Sequence, residues 1–140
     1  MKNVLFVAII SVMAFFTTIP ASAQVSFGDP VKFNDGWLFR LQDDSTAVGT
    51  DYNDSEWRKL SLPHDWSVEG QLSPSLASCT GYLPGGIGWY RKHFNITDKA
   101  ARHYIYFEGV YNRSEVYLNG HLLGKRPNGY VSFLYDMTPY

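Results

Sequence analysis

Tyr104-Ile105-Tyr106-Phe107-Glu108-Gly109-Val110, then Ser114-Glu115-Val116-Tyr117-Leu118, Asn119-Gly120 and His121-Leu122-Leu123-Gly124 make up the stretch that decides the fold. A last run, Tyr130-Val131-Ser132-Phe133-Leu134-Tyr135, follows Pro127-Asn128-Gly129. Aromatic and β-branched residues fill the runs, and turn residues separate them. Asn-Gly between two such runs is a strong hairpin signal, because a type I′ turn holds both central residues at positive φ. The stretch reads as a β-meander in an antiparallel sheet.

Upstream, residues 89–96 alternate. Tyr90, Lys92, Phe94 and Ile96 share one face, and Trp89, Arg91, His93 and Asn95 the other, as in a half-buried strand. Val31-Lys32-Phe33 and Trp37-Leu38-Phe39-Arg40-Leu41 are further strand candidates around the turn Asn34-Asp35-Gly36. In the second of these, Trp37, Phe39 and Leu41 form the expected inward face. Residues 42–56 are polar and read as a surface loop, with Asp54 placed to cap a turn that contains Trp57. Residues 59–62 form a brief strand stopped by Pro63. Residues 67–88, rich in glycine and holding Pro74 and Pro84, are irregular. A loop of that length between Trp66 and Trp89 is expected to be ordered and functional. No segment after the N-terminus reads as helical.

The N-terminus has its own signature. Lys2 is a short basic region, residues 4–16 are apolar except for Ser11, and Ala21-Ser22-Ala23 offers a signal-peptidase site. The expectation is a signal peptide over 1–23 and an exported chain, periplasmic or extracellular, over 24–140. The apolar core is too short to span a bilayer comfortably, so no membrane attachment is expected once the signal is cleaved. The 140-residue chain carries a formal net charge of −1, which excludes the basic footprint of a nucleic-acid-binding protein. Its one cysteine rules out an internal disulfide and a cysteine zinc site. The chain holds 4 Trp, 10 Tyr and 9 Phe, a richness that suits both a sandwich core and the stacking of pyranose rings.

Catalytic chemistry is sparse. A hydrolase needs a nucleophile with its base, or a paired acid and base. His64-Asp65 are adjacent, and on a strand they would point to opposite faces; only a turn would let them form a pair. No serine sits in a Gly-x-Ser-x-Gly elbow. Glu108 and Glu115 flank a turn but read as surface residues. The histidines lack metal-ligand spacing, so neither a metal nor a cofactor is expected. Asn53-Asp54-Ser55, Asn95-Ile96-Thr97 and Asn112-Arg113-Ser114 match the glycosylation pattern, which matters only in a eukaryotic secretory pathway.

The order of motifs carries more information than any one of them. Leu62-Pro63-His64-Asp65-Trp66, Gly85-Gly86-Ile87-Gly88-Trp89-Tyr90-Arg91-Lys92, Phe107-Glu108-Gly109-Val110, Val116-Tyr117-Leu118-Asn119-Gly120-His121 and the run from Gly129 through Asp136-Met137-Thr138-Pro139-Tyr140 occur in sequence. In that order they resemble the N-terminal sugar-binding domain of glycoside hydrolase family 2, in a β-galactosidase-like form. The resemblance implies an all-β, antiparallel jelly-roll sandwich of the galactose-binding type over residues 24–140. It also implies a longer parent in which a TIM barrel supplies two glutamates for a retaining mechanism. No part of this chain matches the barrel, so no catalytic residue is expected within it, and the piece is expected to be inactive alone.

Two departures stand out. The family's jelly roll continues past the Asp-x-Thr-x-Tyr strand, whereas Tyr140 is the last residue here. Some members also place an asparagine near the position of Gly85 and Gly86. The chain therefore reads as truncated, its partners being a carbohydrate and the missing downstream domains. The candidate sugar-contacting residues are His64, Asp65, Trp66, Gly85, Gly86 and Trp89. The alternative is a stand-alone carbohydrate-binding module, with Trp66 and Trp89 as stacking platforms.

Overall fold

Strand β1 (Trp37–Leu41) is the centre of the first sheet in the computed structural model, which describes residues 27–140. The expected signal peptide lies outside the described residues. Val31–Tyr140 fold as one unit. On one side β1 pairs antiparallel with β2 (Arg58–Leu60), in the register Trp37↔Leu60 and Phe39↔Arg58. On the other it pairs antiparallel with β3 (Gly88–Arg91), with Phe39 opposite Tyr90 and Leu41 opposite Gly88. Val31-Lys32-Phe33 is not a strand. Its Phe33 instead packs edge-on against Trp37 and Phe94, at ring-centroid distances of 6.1 and 5.0 Å.

The remaining strands are β4 (Tyr104–Phe107), β5 (Ser114–Leu118), β6 (His121–Arg126) and β7 (Phe133–Asp136). They do not form the expected meander. β5 and β6 make the hairpin, with Asn119 at φ 50° and Gly120 at φ 83°, as a type I′ turn requires. β4 skips β5 and pairs with β7, Tyr104 opposite Asp136 and Phe107 opposite Phe133. The cause lies in the two connections. Arg113 N–H donates to the Pro127 carbonyl at 3.4 Å, and a Cβ on Gly109 would stand 3.1 Å from the Gly129 carbonyl oxygen. The arms therefore stay side by side while the long hairpin bends, leaving its inner and outer halves in separate sheets. Nested antiparallel pairing of this kind agrees with the jelly-roll expectation, and the fold is all-β and antiparallel. The described residues contain no α-helix, only short 3-10 turns.

The first sheet is covered on both faces. Tyr90 packs on Phe39 at 4.8 Å, on the face that also carries Trp37. The opposite face carries Trp89, whose ring stacks on Tyr117 of β5 at 6.3 Å, and Arg91. Phe39 is buried, but Leu41, expected inward, is 51% exposed at the strand's end. The buried apolar side chains among the described residues are Phe39, Ala47, Trp57 and Phe133.

Residues 42–56 are more structured than a surface loop. Asp44 caps a 3-10 turn, Ser45–Val48, whose Ala47 is buried. Asp54 does not cap the turn at Trp57 with its side chain. Its carboxylate accepts from Arg91 Nε at 2.8 Å and lies 2.7 Å from His93 Nε2. A charged guanidinium outcompetes a local backbone N–H for the same oxygen.

Candidate functional site

The turn after the cis Leu62-Pro63 bond brings His64 over β1 and β3. Its ring lies 4.9 Å from Phe39, and its side chain is only 11% exposed. Nδ1 is 2.8 Å from the Tyr90 hydroxyl. Nε2 is 2.8 Å from Arg58 Nη2 and 3.1 Å from Glu69 Oε1. The two neutral tautomers divide these contacts. Nε2 either accepts from Arg58 or donates to Glu69, and Nδ1 correspondingly donates to or accepts from Tyr90. Arg58 Nη2 also donates to both Glu69 oxygens, at 3.0 and 2.8 Å.

The electrostatics follow from these contacts. Hydrogen bonds from Arg58 and then His64 hold the Glu69 carboxyl below its ordinary range. Burial, helped by the negative charges of Asp65 and Glu69, pushes the Tyr90 phenol up to about 12. Tyr90 therefore keeps its proton at any physiological pH. The cluster is a polar clasp joining β2, β3 and the turn Ser67–Glu69.

Asp65 does not pair with His64. Its carboxylate accepts from the Ser67 N–H at 2.9 Å, an Asx turn that starts the Ser67–Glu69 turn. The local turn competes successfully for that carboxylate, and His64 finds its carboxylate five residues on. Trp66 is half-buried and lies across β3: a Cβ on Gly88 would stand 2.9 Å from its Nε1. Gly86 is exposed at φ 154°, and a Cβ there would meet Leu41 at 3.6 Å and Trp66 at 3.7 Å. Gly85 opens to solvent. Asp65, Trp66, Gly85 and Gly86 gather with His64 on the side of β3 that carries Tyr90. Trp89 does not join them, because alternation turns it to the opposite face, onto Tyr117.

Arg58, Glu69 and Tyr90 were not marked as site residues by the sequence. The rest of the 67–88 segment is tied internally, by Ser67 Oγ donating to the Pro84 carbonyl at 3.1 Å and Ser73 N–H to the Tyr82 carbonyl at 3.1 Å. Glu115 is held by Lys125 at 2.5 Å and by the Tyr117 hydroxyl, and Glu108 stands exposed at the end of β4. No cluster of histidine, cysteine, aspartate or glutamate among the described residues could hold a metal ion. Beside the half-buried Trp66, the backbone of Gly85 and Gly86 is left exposed.

No protein-family model matches the chain. It is 49% identical over 125 residues to a β-galactosidase of Bacteroides ovatus, covering 86% of this chain and 15% of that enzyme. It is 45% identical over 113 residues to a putative β-glucuronidase of Formosa agariphila, covering 78% of this chain and 11% of that protein. Among solved structures, a β-glycosidase from Bacteroides vulgatus matches 81% of this chain and 16% of its own, at 51% identity and a TM-score of 0.76. A glycosyl hydrolase family 2 member from Bacteroides cellulosilyticus matches 77% of this chain and 15% of its own, at 31% identity and a TM-score of 0.68. The chain thus spans about one-seventh of the length of such relatives.

Proposed function

We propose that this chain, which belongs to glycoside hydrolase family 2, is the N-terminal sugar-binding domain of an exported, retaining β-glycosidase of the β-galactosidase type. The observation that carries the reading is its near-50% identity to β-glycosidases of which it spans about 15%. Export is supported by the leader pattern ending at Ala21-Ser22-Ala23. A further support is the thin core. Val68, Leu72, Tyr111 and Tyr130 are among many large apolar side chains left exposed, a surface suited to covering by neighbouring domains.

In this reading the domain does not cleave bonds. A retaining glycosidase needs two carboxyl groups about 5 Å apart around the glycosidic bond, one of them free to attack. Here Glu69 is engaged by Arg58 and His64, and Glu115 by Lys125 and Tyr117. The domain's part is to wall a sugar pocket completed by the catalytic barrel. The His64 clasp fixes the turn, Trp66 offers its ring, and Gly85 and Gly86 let a sugar approach the backbone. The substrate is a β-galactoside or a related glycoside.

Two measurements test this. The purified chain should hydrolyse no aryl β-galactoside or β-glucuronide. Exchanged for the corresponding domain of the Bacteroides vulgatus β-glycosidase, it should leave that enzyme's hydrolysis intact. Turnover by the chain alone, or a folded chimera with no activity, overturns the reading.

A further inference from the structure

His64 meets a group of different character on each element packed against it. β2 brings the Arg58 guanidinium, β3 the Tyr90 hydroxyl, and the turn after Pro63 the carboxylates of Asp65 and Glu69; β1 offers only the Phe39 ring. Arg58 is a donor only and never loses its charge. Its Nη2 lies 2.8 Å from His64 Nε2, closer than Glu69 Oε1 at 3.1 Å. An N–H on Nε2 would face an Arg58 N–H, so in the neutral ring Nε2 is bare and accepts from Arg58. The ring's one proton is then on Nδ1, donated to the Tyr90 oxygen at 2.8 Å. Burial, then the charges of Asp65 and Glu69, push the Tyr90 phenol up to about 12, so that partner does not change with pH.

A second proton can enter only at Nε2. It would turn the Arg58 contact into two cationic donors 2.8 Å apart, and it would give Glu69 Oε1 a donor at 3.1 Å. Glu69 is ionised to receive it, since hydrogen bonds from Arg58 and then His64 hold its carboxyl below the ordinary range. The Asp65 carboxylate is occupied by the Ser67 N–H and does not compete. Arg58 is the member free to leave. Its side chain is 51% exposed, whereas His64, at 11%, is held between Phe39 and Tyr90.

We propose that His64 is a proton-operated switch at the Trp66 turn: the neutral ring holds Arg58 of β2, and protonation at Nε2 releases Arg58 and takes Glu69 instead. Residues 64–69 then close on themselves around Trp66, and the guanidinium turns to solvent beside the candidate site. Histidine is the side chain whose ordinary titration falls between about pH 5 and pH 8, so mild acidification operates the switch. The inference goes beyond the domain's proposed role and holds whether or not the chain serves a hydrolase.

The test is nitrogen NMR of the histidine-labelled full chain, with the His64 ring assigned through bonds from its own backbone. At about pH 8 Nε2 should resonate as a bare nitrogen and Nδ1 as N–H, and by about pH 5 both as N–H. Arg58→Gln removes the repelling cation and should raise the midpoint of that change; Glu69→Gln removes the acceptor and should lower it. Each shift should be about half a pH unit or more. The tautomer is read on the wild-type chain, so it decides even where a variant unfolds. A protonated Nε2 at about pH 8, a bare Nε2 at about pH 5, or variant midpoints that fail to diverge overturns the proposal.

Discussion

The Asp54 carboxylate and the Arg91 guanidinium, 37 positions apart, meet at 2.8 Å with 15% and 12% of their side chains exposed. Arg91 also donates to the carbonyls of Ala47 and Gly49 and lies 5.5 Å from the Tyr52 ring. One side chain on β3 thus pins the segment between β1 and β2. Removing one member of a buried pair leaves the other charge unmatched, at a cost of about 3–5 kcal/mol when burial is complete. Residual solvent contact lowers that here. Asp54→Ala should cost about 2 kcal/mol, and Arg91→Ala more, because three acceptors lose their donor. Urea denaturation midpoints check both.

The same pair sets an acid limit. Burial raises the Asp54 pKa, but the hydrogen bonds from Arg91 and His93 outweigh it and hold the carboxyl below its ordinary value. A depressed folded-state pKa means that the stabilisation is fully present above the unfolded value, about pH 4. It is lost as pH falls through the lower, folded value. Urea midpoints followed from about pH 7 to about pH 3 should fall more steeply for the wild type than for Asp54→Asn. Parallel curves would assign the acid sensitivity to other carboxylates.

Gly88 keeps space for the site. An added Cβ would lie 2.9 Å from Trp66 Nε1 and 3.1 Å from Phe39 Cε2. Gly88→Ala should displace the indole and cost about 1–3 kcal/mol through overpacking. A shift in tryptophan emission together with a lower melting temperature is the expected result; an unchanged spectrum would mean that Trp66 is not seated on β3.

The turn between β5 and β6 needs its glycine for a different reason. Gly120 is at φ 83° with open space around it: the nearest atom to an added Cβ is the Val48 carbonyl oxygen, 4.0 Å away. Gly120→Ala should therefore cost about 1 kcal/mol of backbone strain without a steric clash. Asn119→Gly should keep the turn but lose the hydrogen bond from Asn119 Nδ2 to the Tyr140 carbonyl, 2.7 Å long. Thermal melts of the two variants separate strain from side-chain bonding.

The candidate site was legible where the cause is local. Trp66, Gly85 and Gly86 stand together because one connection carries them to the edge of β3. Trp89 was grouped with them through sequence proximity alone, and the two-residue period of the strand sends it to the other face. A turn was the one setting in which Asp65 could pair with His64, and in the turn that forms its carboxylate accepts from the Ser67 backbone N–H instead. Glu69, Arg58 and Tyr90 arrive from three separate elements, and no spacing in the chain announces their meeting.

The sequence by itself determined the alternation of β1 and β3 and the Asn119-Gly120 turn, because φ preferences and the two-residue period act within a few residues. Its ordered motifs also determined the family. Tertiary structure alone decided that β4 passes over β5 to pair with β7, that Asp54 serves Arg91, and that Tyr111 meets Tyr130 across Gly129. Each of those outcomes is a competition among distant partners. Packing and charge settle it only once the chain has closed on itself.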